Sequence, residues 1–413
     1  MKAAVELTKD GLMGNKRKVH SLTGRIDQQL MRAAFKAVKR NRGAAGIDKV
    51  SIAMFERNLD ANLRALQRDL KTKGRFVPKP LRRVWIPKDA KGKKLRPLGI
   101  PAVRDRIAQE VIRRLLEPIF EPLFHDNSFG FRAQRSCHDA IRRVLSYHQD
   151  GDRITLDADI SGFFDNIPHK LIVDAVAEEV ADGNILNLVK KFLAAGVMDN
   201  GVFKPTTVGT PQGGVISPLL ANIVLNKLDW QLDKAGYRFV RYADDFVVVC
   251  KDRTQAEAAL TLVEEIMTQL GLSLSAEKTK IASYGKGYEF LGFRLSSRSR
   301  TMRPKSVEKF KIKIREITRR CNNLDANVVM KLNQVIRGTA NYFATDFSTC
   351  IKLYQQLDKW IRMRVRCMKY KRKLSADNYR LKRRTFEKKL GLLTMLSFTS
   401  TTMRSDNLAP QTT

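Results

Sequence analysis

Asp244 and Asp245 stand side by side between two apolar, β-prone runs, residues 239–242 and 246–250, and that spacing predicts a tight hairpin with carboxylates at its turn. Aspartate is common at turns, so the pair alone decides nothing. The run that follows, Phe246-Val247-Val248-Val249, is apolar throughout. It predicts a strand buried on both faces, which puts two adjacent anions at the edge of a dry core, where they need a cation. A third carboxylate, Asp159, closes the alternating stretch 153–160. There Ile154, Leu156, Ala158 and Ile160 share one face, and Thr155, Asp157 and Asp159 share the other. With the two elements side by side in one sheet, three carboxylates suit two Mg²⁺ ions about 3.5–4 Å apart. Such a pair activates an attacking hydroxyl and stabilises the leaving oxygen in phosphoryl transfer, chemistry shared by polymerases and many nucleases.

The elements that must hold these residues read as a mixture of helix and strand. Residues 24–41 predict a helix with Leu30, Ala34 and Val38 on one face, followed by a tight, lid-like loop at 41–48 that contains Gly43 and Gly46. Residues 82–86 and a second apolar run ending at Pro101 predict a hairpin with a densely basic tip. Ile107, Val111, Leu115 and Ile119 recur at four-residue spacing on a helix that Pro118 and Pro122 should end. Ser217 and Pro218 predict the start of a helix that Leu220, Val224, Leu228 and Leu232 carry to Gly236. Another helix spans 256–270 and stops at Gly271; from about Lys305 the pattern is wholly helical and basic.

Composition narrows the class of partner. The formal net charge is +35, from 77 Lys and Arg against 42 Asp and Glu, which exceeds what solubility requires and points to a polyanion, nucleic acid first. Residues 301–390 hold 25 Lys and Arg against 7 Asp and Glu, so about half the net charge sits in under a quarter of the chain, as in a binding surface. The five cysteines are scattered, with no CxxC pair and no adjacent histidine. A reduced, cytoplasmic protein fits them best. No apolar stretch approaches the roughly 18 residues that span a bilayer, and no signal-type segment follows Lys16-Arg17-Lys18. Neither membrane insertion nor secretion is expected.

Tyr242-Ala243-Asp244-Asp245, taken with Asp159, resembles the catalytic signature of reverse transcriptases of the group II intron type. Further runs match that family in order: Arg96-Pro97-Leu98-Gly99-Ile100-Pro101, Ser128-Phe129-Gly130-Phe131-Arg132, Gly209-Thr210-Pro211-Gln212-Gly213-Gly214 with Ser217-Pro218-Leu219-Leu220-Ala221-Asn222, and Phe290-Leu291-Gly292-Phe293. Each is weak alone; together they are specific and cover nearly the whole chain. The resemblance implies an α+β, right-hand polymerase. Fingers and a palm with an antiparallel catalytic sheet would occupy 25–300, behind a polar, basic leader at 1–24. An all-helical thumb with maturase character would follow at 301–373, then a short basic C-terminal segment with a disordered tail at 374–413. Beyond about Leu374 there are no paired cysteines and no His-Asn-His arrangement, so the DNA-endonuclease domain of longer family members is not expected.

Carried over by position, the resemblance makes Asp159, Asp244 and Asp245 catalytic. With the Ile160 carbonyl they would be the ligands of two Mg²⁺ ions, for which Mn²⁺ could substitute. Lys88 and Arg96 match the fingertip residues that grip the triphosphate, and Gln212 matches the contact near the incoming sugar. Phe164 matches the steric gate against a ribose 2′-hydroxyl, with Phe163 packing inward. Lys278 occupies the place of a lysine that protonates departing pyrophosphate. Arg132, Gly213, Gly214, Arg337, Arg362, Arg364 and Arg366 would meet nucleic acid, the last four in the thumb and maturase region. The implied partners are an RNA template with a DNA or RNA primer, a structured intron RNA and a DNA target. An RNA-dependent RNA polymerase is the rival within enzymes, which the gate at Phe164 disfavours. A maturase with little polymerase role, and a domesticated relative serving DNA repair or phage defence, stay open.

Overall fold

The computed structural model describes residues 18–87, 95–199, 201–210 and 213–399; Lys88 and Gln212 lie outside them. Helix and strand are mixed as the sequence predicts, and the fold class is α+β. The strands are β1 (Leu81–Pro87), β2 (Leu95–Ile100), β3 (Ile154–Asp159), β4 (Val197–Asp199), β5 (Val202–Lys204), β6 (Arg238–Tyr242), β7 (Asp245–Cys250), β8 (Lys280–Ser283), β9 (Tyr288–Phe290), β10 (Phe293–Leu295) and β11 (Arg300–Met302). They form three sheets, ordered β2-β1-β4-β5, β6-β7-β3-β8 and β11-β10-β9. No helix among the described residues is long and apolar enough to cross a membrane.

The second sheet is wholly antiparallel, and β7 runs through its middle. Every side chain from Phe246 to Cys250 is buried, as the unbroken apolar run requires. Their alternation divides them between two cores. Phe246, Val248 and Cys250 face a core shared with Leu156 and Ala158 of β3 and the helices Val103–Phe120, Ser217–Lys234 and Arg253–Gln269. Val247 and Val249 face a second core, built from the helix Cys137–Gln149 and from Tyr288, Phe293 and the C-terminal helices Pro304–Ile317, Ala326–Phe343 and Ile351–Lys369. Each fully buried valine contributes about 1.5–3 kcal/mol. The strand therefore ties the two halves of the molecule together.

Local chemistry sets the element ends, and several differ from the sequence expectation. The first long helix is Gln28–Arg40, started by Asp27, whose carboxylate accepts from Leu30 N at 2.7 Å. The helix Val103–Phe120 ends two residues after Pro118, and Pro122 stands in the short turn that follows, so the two prolines bracket its end. The loop at 41–48 is seated rather than free. Arg106 donates to the Ala44 carbonyl and to the Pro101 carbonyl, and a Cβ on Gly46 would collide with Ala102.

The segment after 373, set apart by its basic composition, packs back on the C-terminal helices. Leu381, Phe386, Leu392 and Met395 join the second core. Asp358 accepts from Met395 N at 2.7 Å, and Asn333 accepts from Leu393 N at 2.9 Å. The chain from 400 onward lies outside the described residues.

Between the Ser217–Lys234 helix and β6 lies an ion pair, Asp229 with Arg241, whose side chains have 0% exposure. Asp229→Ala would strand the guanidinium in the core. We expect it to cost about 3–5 kcal/mol in urea unfolding, whereas Arg32→Ala in the exposed Arg32–Asp60 pair should cost under about 1 kcal/mol.

Candidate active site

β3 and β7 meet with Asp159 opposite Asp245, and β6 and β7 meet with Tyr242 opposite Asp245. Ala243 and Asp244 are left to make the turn. Ala243 takes a left-handed conformation, φ +59°, which alanine seldom adopts. The predicted hairpin and the predicted strand are thus neighbours, and all three aspartates stand at one end of one sheet. Asp157, two residues back on the same face of β3, lies 3.6 Å from Lys280 Nζ.

The electrostatics are those of anions short of counter-charge. Desolvation in the cleft holds the Asp244 carboxyl above its usual range, and Asp159 adds to the rise while Arg96 and Lys278 oppose it. Asp245 is pushed up to about 6 by desolvation, then by Asp244 and Asp159, against Arg303 and Lys278. Asp157 is likewise raised to about 6, chiefly by burial. Among the described residues no three acidic, His or Cys side chains are drawn to metal-ligand spacing. Lys278 Nζ instead sits 2.7 Å from Asp159 Oδ2. In donor chemistry the cluster fits Mg²⁺: carboxylate oxygens that repel one another and would be relieved by a hard divalent cation.

The neighbouring motifs converge on this point. Ser275 N donates to the Asp159 carbonyl and Ser161 N to the Ser273 carbonyl, so the segment leading to Lys278 is stitched to the end of β3. Phe163 is buried in the first core, and Phe164 is half buried and packs against the same core. Thr210 N donates to the Phe164 carbonyl at 2.7 Å. Gly213 has φ +110°, and a Cβ there would collide with the Gly99 carbonyl of β2, so its freedom serves a close backbone approach. Gly214 follows it, half buried. Arg96 is exposed on β2 and pulls on Asp244.

Residues 86–295 match the family model for reverse transcriptase (RNA-dependent DNA polymerase), and residues 307–386 match the group II intron maturase-specific domain. The chain belongs to the group II intron reverse transcriptase/maturase family. Protein YkfC of Escherichia coli is 38% identical over 290 residues, 60% of this chain and 75% of that protein. The group II intron-encoded protein LtrA of Lactococcus lactis is 46% identical over 156 residues, 38% of this chain and 26% of LtrA. The putative COX1/OXI3 intron 2 protein of Saccharomyces cerevisiae is 28% identical over 389 residues, 78% of this chain and 45% of that protein. The chain thus spans three quarters of the first relative and less than half of the other two.

Of the arginines expected to meet nucleic acid, Arg132 is buried and Arg362, Arg364 and Arg366 are half buried with partners inside the protein. Arg132 is buried: it pairs with Glu121 at 2.8 Å and donates to the His125 and Ser128 carbonyls. Arg364 donates to Thr318 Oγ1 and to the Thr318 carbonyl, joining two helices. Arg366 donates to the Leu381 carbonyl and lies over the Phe386 ring, which clasps the C-terminal segment. Arg362 is half buried near Asp358. Their spacing on one helix gave no sign of these partners. Arg337 is exposed. Sequence reasoning missed Arg303, which lines a cleft of about 410 Å³ with Asp245, Gly292, Lys309, Lys313 and Tyr342. Its signal was its place, directly after β11 and ahead of a basic helix. We predict that Arg337→Ala lowers the salt dependence of RNA binding by about 0.7–0.9 in log–log slope. Arg364→Ala should lower the unfolding midpoint and leave that slope unchanged, as salt titrations of binding will show.

Proposed function

We propose that the chain is an RNA-directed DNA polymerase that extends a primer on an RNA template, in a right-hand arrangement. The helices up to Lys71 and the sheet β2-β1-β4-β5 would be the fingers, the sheet β6-β7-β3-β8 the palm, and the helices from Pro304 the thumb. The observation that carries this reading is the Asp159–Asp245 register beside Asp244, flanked by Arg96, Lys278 and Arg303, within a chain whose residues 86–295 match reverse transcriptases.

Asp159, Asp244 and Asp245, with the Ile160 carbonyl, would hold two Mg²⁺ ions, or Mn²⁺ in their place. When bound, these lower the pKa of the primer 3′-hydroxyl and neutralise charge on the leaving oxygen. The protein's own groups do the rest. Arg96, with Lys88 from the resemblance, grips the triphosphate so that the α-phosphate lies in line with the primer oxygen. The 3′-hydroxyl gives its proton to water and its oxygen bonds the α-phosphorus as the bond from that phosphorus to the oxygen bridging the β-phosphate breaks, which releases pyrophosphate. Lys278 then leaves Asp159 and gives its proton to pyrophosphate. Phe164 closes the space that a 2′-hydroxyl would need, and Gln212 takes the sugar side. Arg303, Lys309 and Lys313, in the cleft beside Asp245, are placed for primer-strand phosphates.

A second role, binding a structured intron RNA in splicing and mobility with its DNA target, is favoured by the maturase-specific match at 307–386 and the basic surface there.

Asp244→Asn should abolish primer extension, because a neutral amide replaces a charged ligand; near-normal extension on an RNA template would refute the assignment. Phe164→Val should raise the ratio of ribo- to deoxynucleotide catalytic efficiency at least about tenfold, roughly 1.4 kcal/mol. Single-nucleotide kinetics decide it: unchanged discrimination there, with relaxed discrimination in Phe163→Val, would move the gate by one residue.

A further inference from the structure

Directly behind the three aspartates lies a buried charge that plays no part in the chemistry described so far. Arg241 has no exposed side-chain surface, and neither does its partner Asp229. Nε and Nη2 donate to the two Asp229 carboxylate oxygens at 2.7 and 2.5 Å. Nη1 donates to Asn222 Oδ1 at 2.9 Å and to the Ala243 carbonyl at 3.0 Å. Ala243 is the residue held at φ +59° immediately before Asp244. Asn222 passes the hold onward, donating Nδ2 to the Gly130 carbonyl at 2.8 Å. Gly130 lies so close to Ala243 N that a Cβ would collide with it. Arg241 N donates to the Asn127 carbonyl, and Phe129 N to the Arg241 carbonyl. The turn is held at its carbonyl by a guanidinium, closely approached at its amide by Gly130, and bonded along its strand to the segment 127–129.

A buried ion pair is poor value as mere glue, since apolar residues of similar volume serve stability as well or better. What a hydrocarbon cannot supply is a donor aimed at one carbonyl of a left-handed turn. Asp229 also matters to the field. An unpaired arginine this close would repel a cation from the aspartates, whereas the pair is neutral overall and acts through geometry alone.

We propose that Arg241, oriented by Asp229 and Asn222, is a positioning residue for metal binding: it fixes the Ala243-Asp244 turn so that Asp244 and Asp245 are presented together with Asp159. Arg241 touches neither substrate nor metal. The inference rests on the reading of the aspartates as metal ligands, and its primary readout is cation binding without turnover.

Two variants test it. Arg241→Met combined with Asp229→Leu removes both charges and keeps the volume; Asn222→Ala removes one anchor and leaves the pair in place. Mn²⁺ binding to the free protein, followed by loss of the free-ion electron paramagnetic resonance signal, should weaken about 10- to 100-fold in each, the usual cost of removing the support of a ligand. The kcat for nucleotide addition should fall while KM for primer–template stays near wild type and thermal unfolding remains cooperative. Wild-type Mn²⁺ affinity in either folded variant, alongside lost affinity in Asp244→Asn, overturns the positioning role and spares the metal site. Equal affinity in wild type and Asp244→Asn takes down both. Should the double variant fail to fold, Asn222→Ala alone decides.

Discussion

The placement of the aspartates depends on Phe246–Cys250 of β7 having no face turned to water, while Asp245 at the strand's start is exposed. The apolar side chains enter two cores alternately, Phe246, Val248 and Cys250 on one side and Val247 and Val249 on the other. A slip by one residue would keep apolar groups inside but would draw Asp245 into the hydrocarbon, where an unpaired carboxylate is very costly. The boundary between charge and hydrocarbon along the chain therefore fixes the register against β3 and sets Asp245 opposite Asp159. Site and core are specified by the same few residues.

That arrangement leaves a local excess of negative charge in a protein of strong positive charge. Arg96, Lys278 and Arg303 reach toward the aspartates, and desolvation still holds Asp244 and Asp245 above the ordinary carboxylate range. Part of the positive charge is turned inward. Arg106, Arg132, Arg241, Arg364 and Arg366 each give at least one donor to a backbone carbonyl. Arginine suits such work because its planar fork meets several acceptors at once. Net charge thus identifies the kind of partner and overstates the surface available to it.

What could be read in advance follows from the range of each interaction. The apolar run of β7 and the four-residue spacing of the helix Val103–Phe120 are local patterns that the structure keeps, and β3 keeps its alternation except that Thr155, on the carboxylate face, is buried by the second core. The meeting of the three aspartates was legible because an alternating strand and an apolar run, each bounded by carboxylate, fit side by side in one sheet. The helix Cys137–Gln149 escaped, although Ser136 and Asp139 form a capping box at its start. Its apolar face, Ala140, Ile141, Val144 and Leu145, is short and broken by arginines. The partnerships of Arg132 with the 125–128 carbonyls and of Arg364 with Thr318 were not legible, since they exist only once separate elements have packed. The C-terminal segment hid for another reason: Leu381, Phe386, Leu392 and Met395 have no regular period, so only their common destination in the second core unites them.

Thr210 and Gly213 touch two separate parts of the candidate site. At one end Thr210 N is bonded to the Phe164 carbonyl; at the other Gly213 lies backbone to backbone against Gly99 of the strand that carries Arg96. On the proposed roles of Arg96 and Phe164, a substitution that shifts the strand at Gly99 would also be felt in the choice of sugar, because the two contacts belong to residues three apart in the sequence.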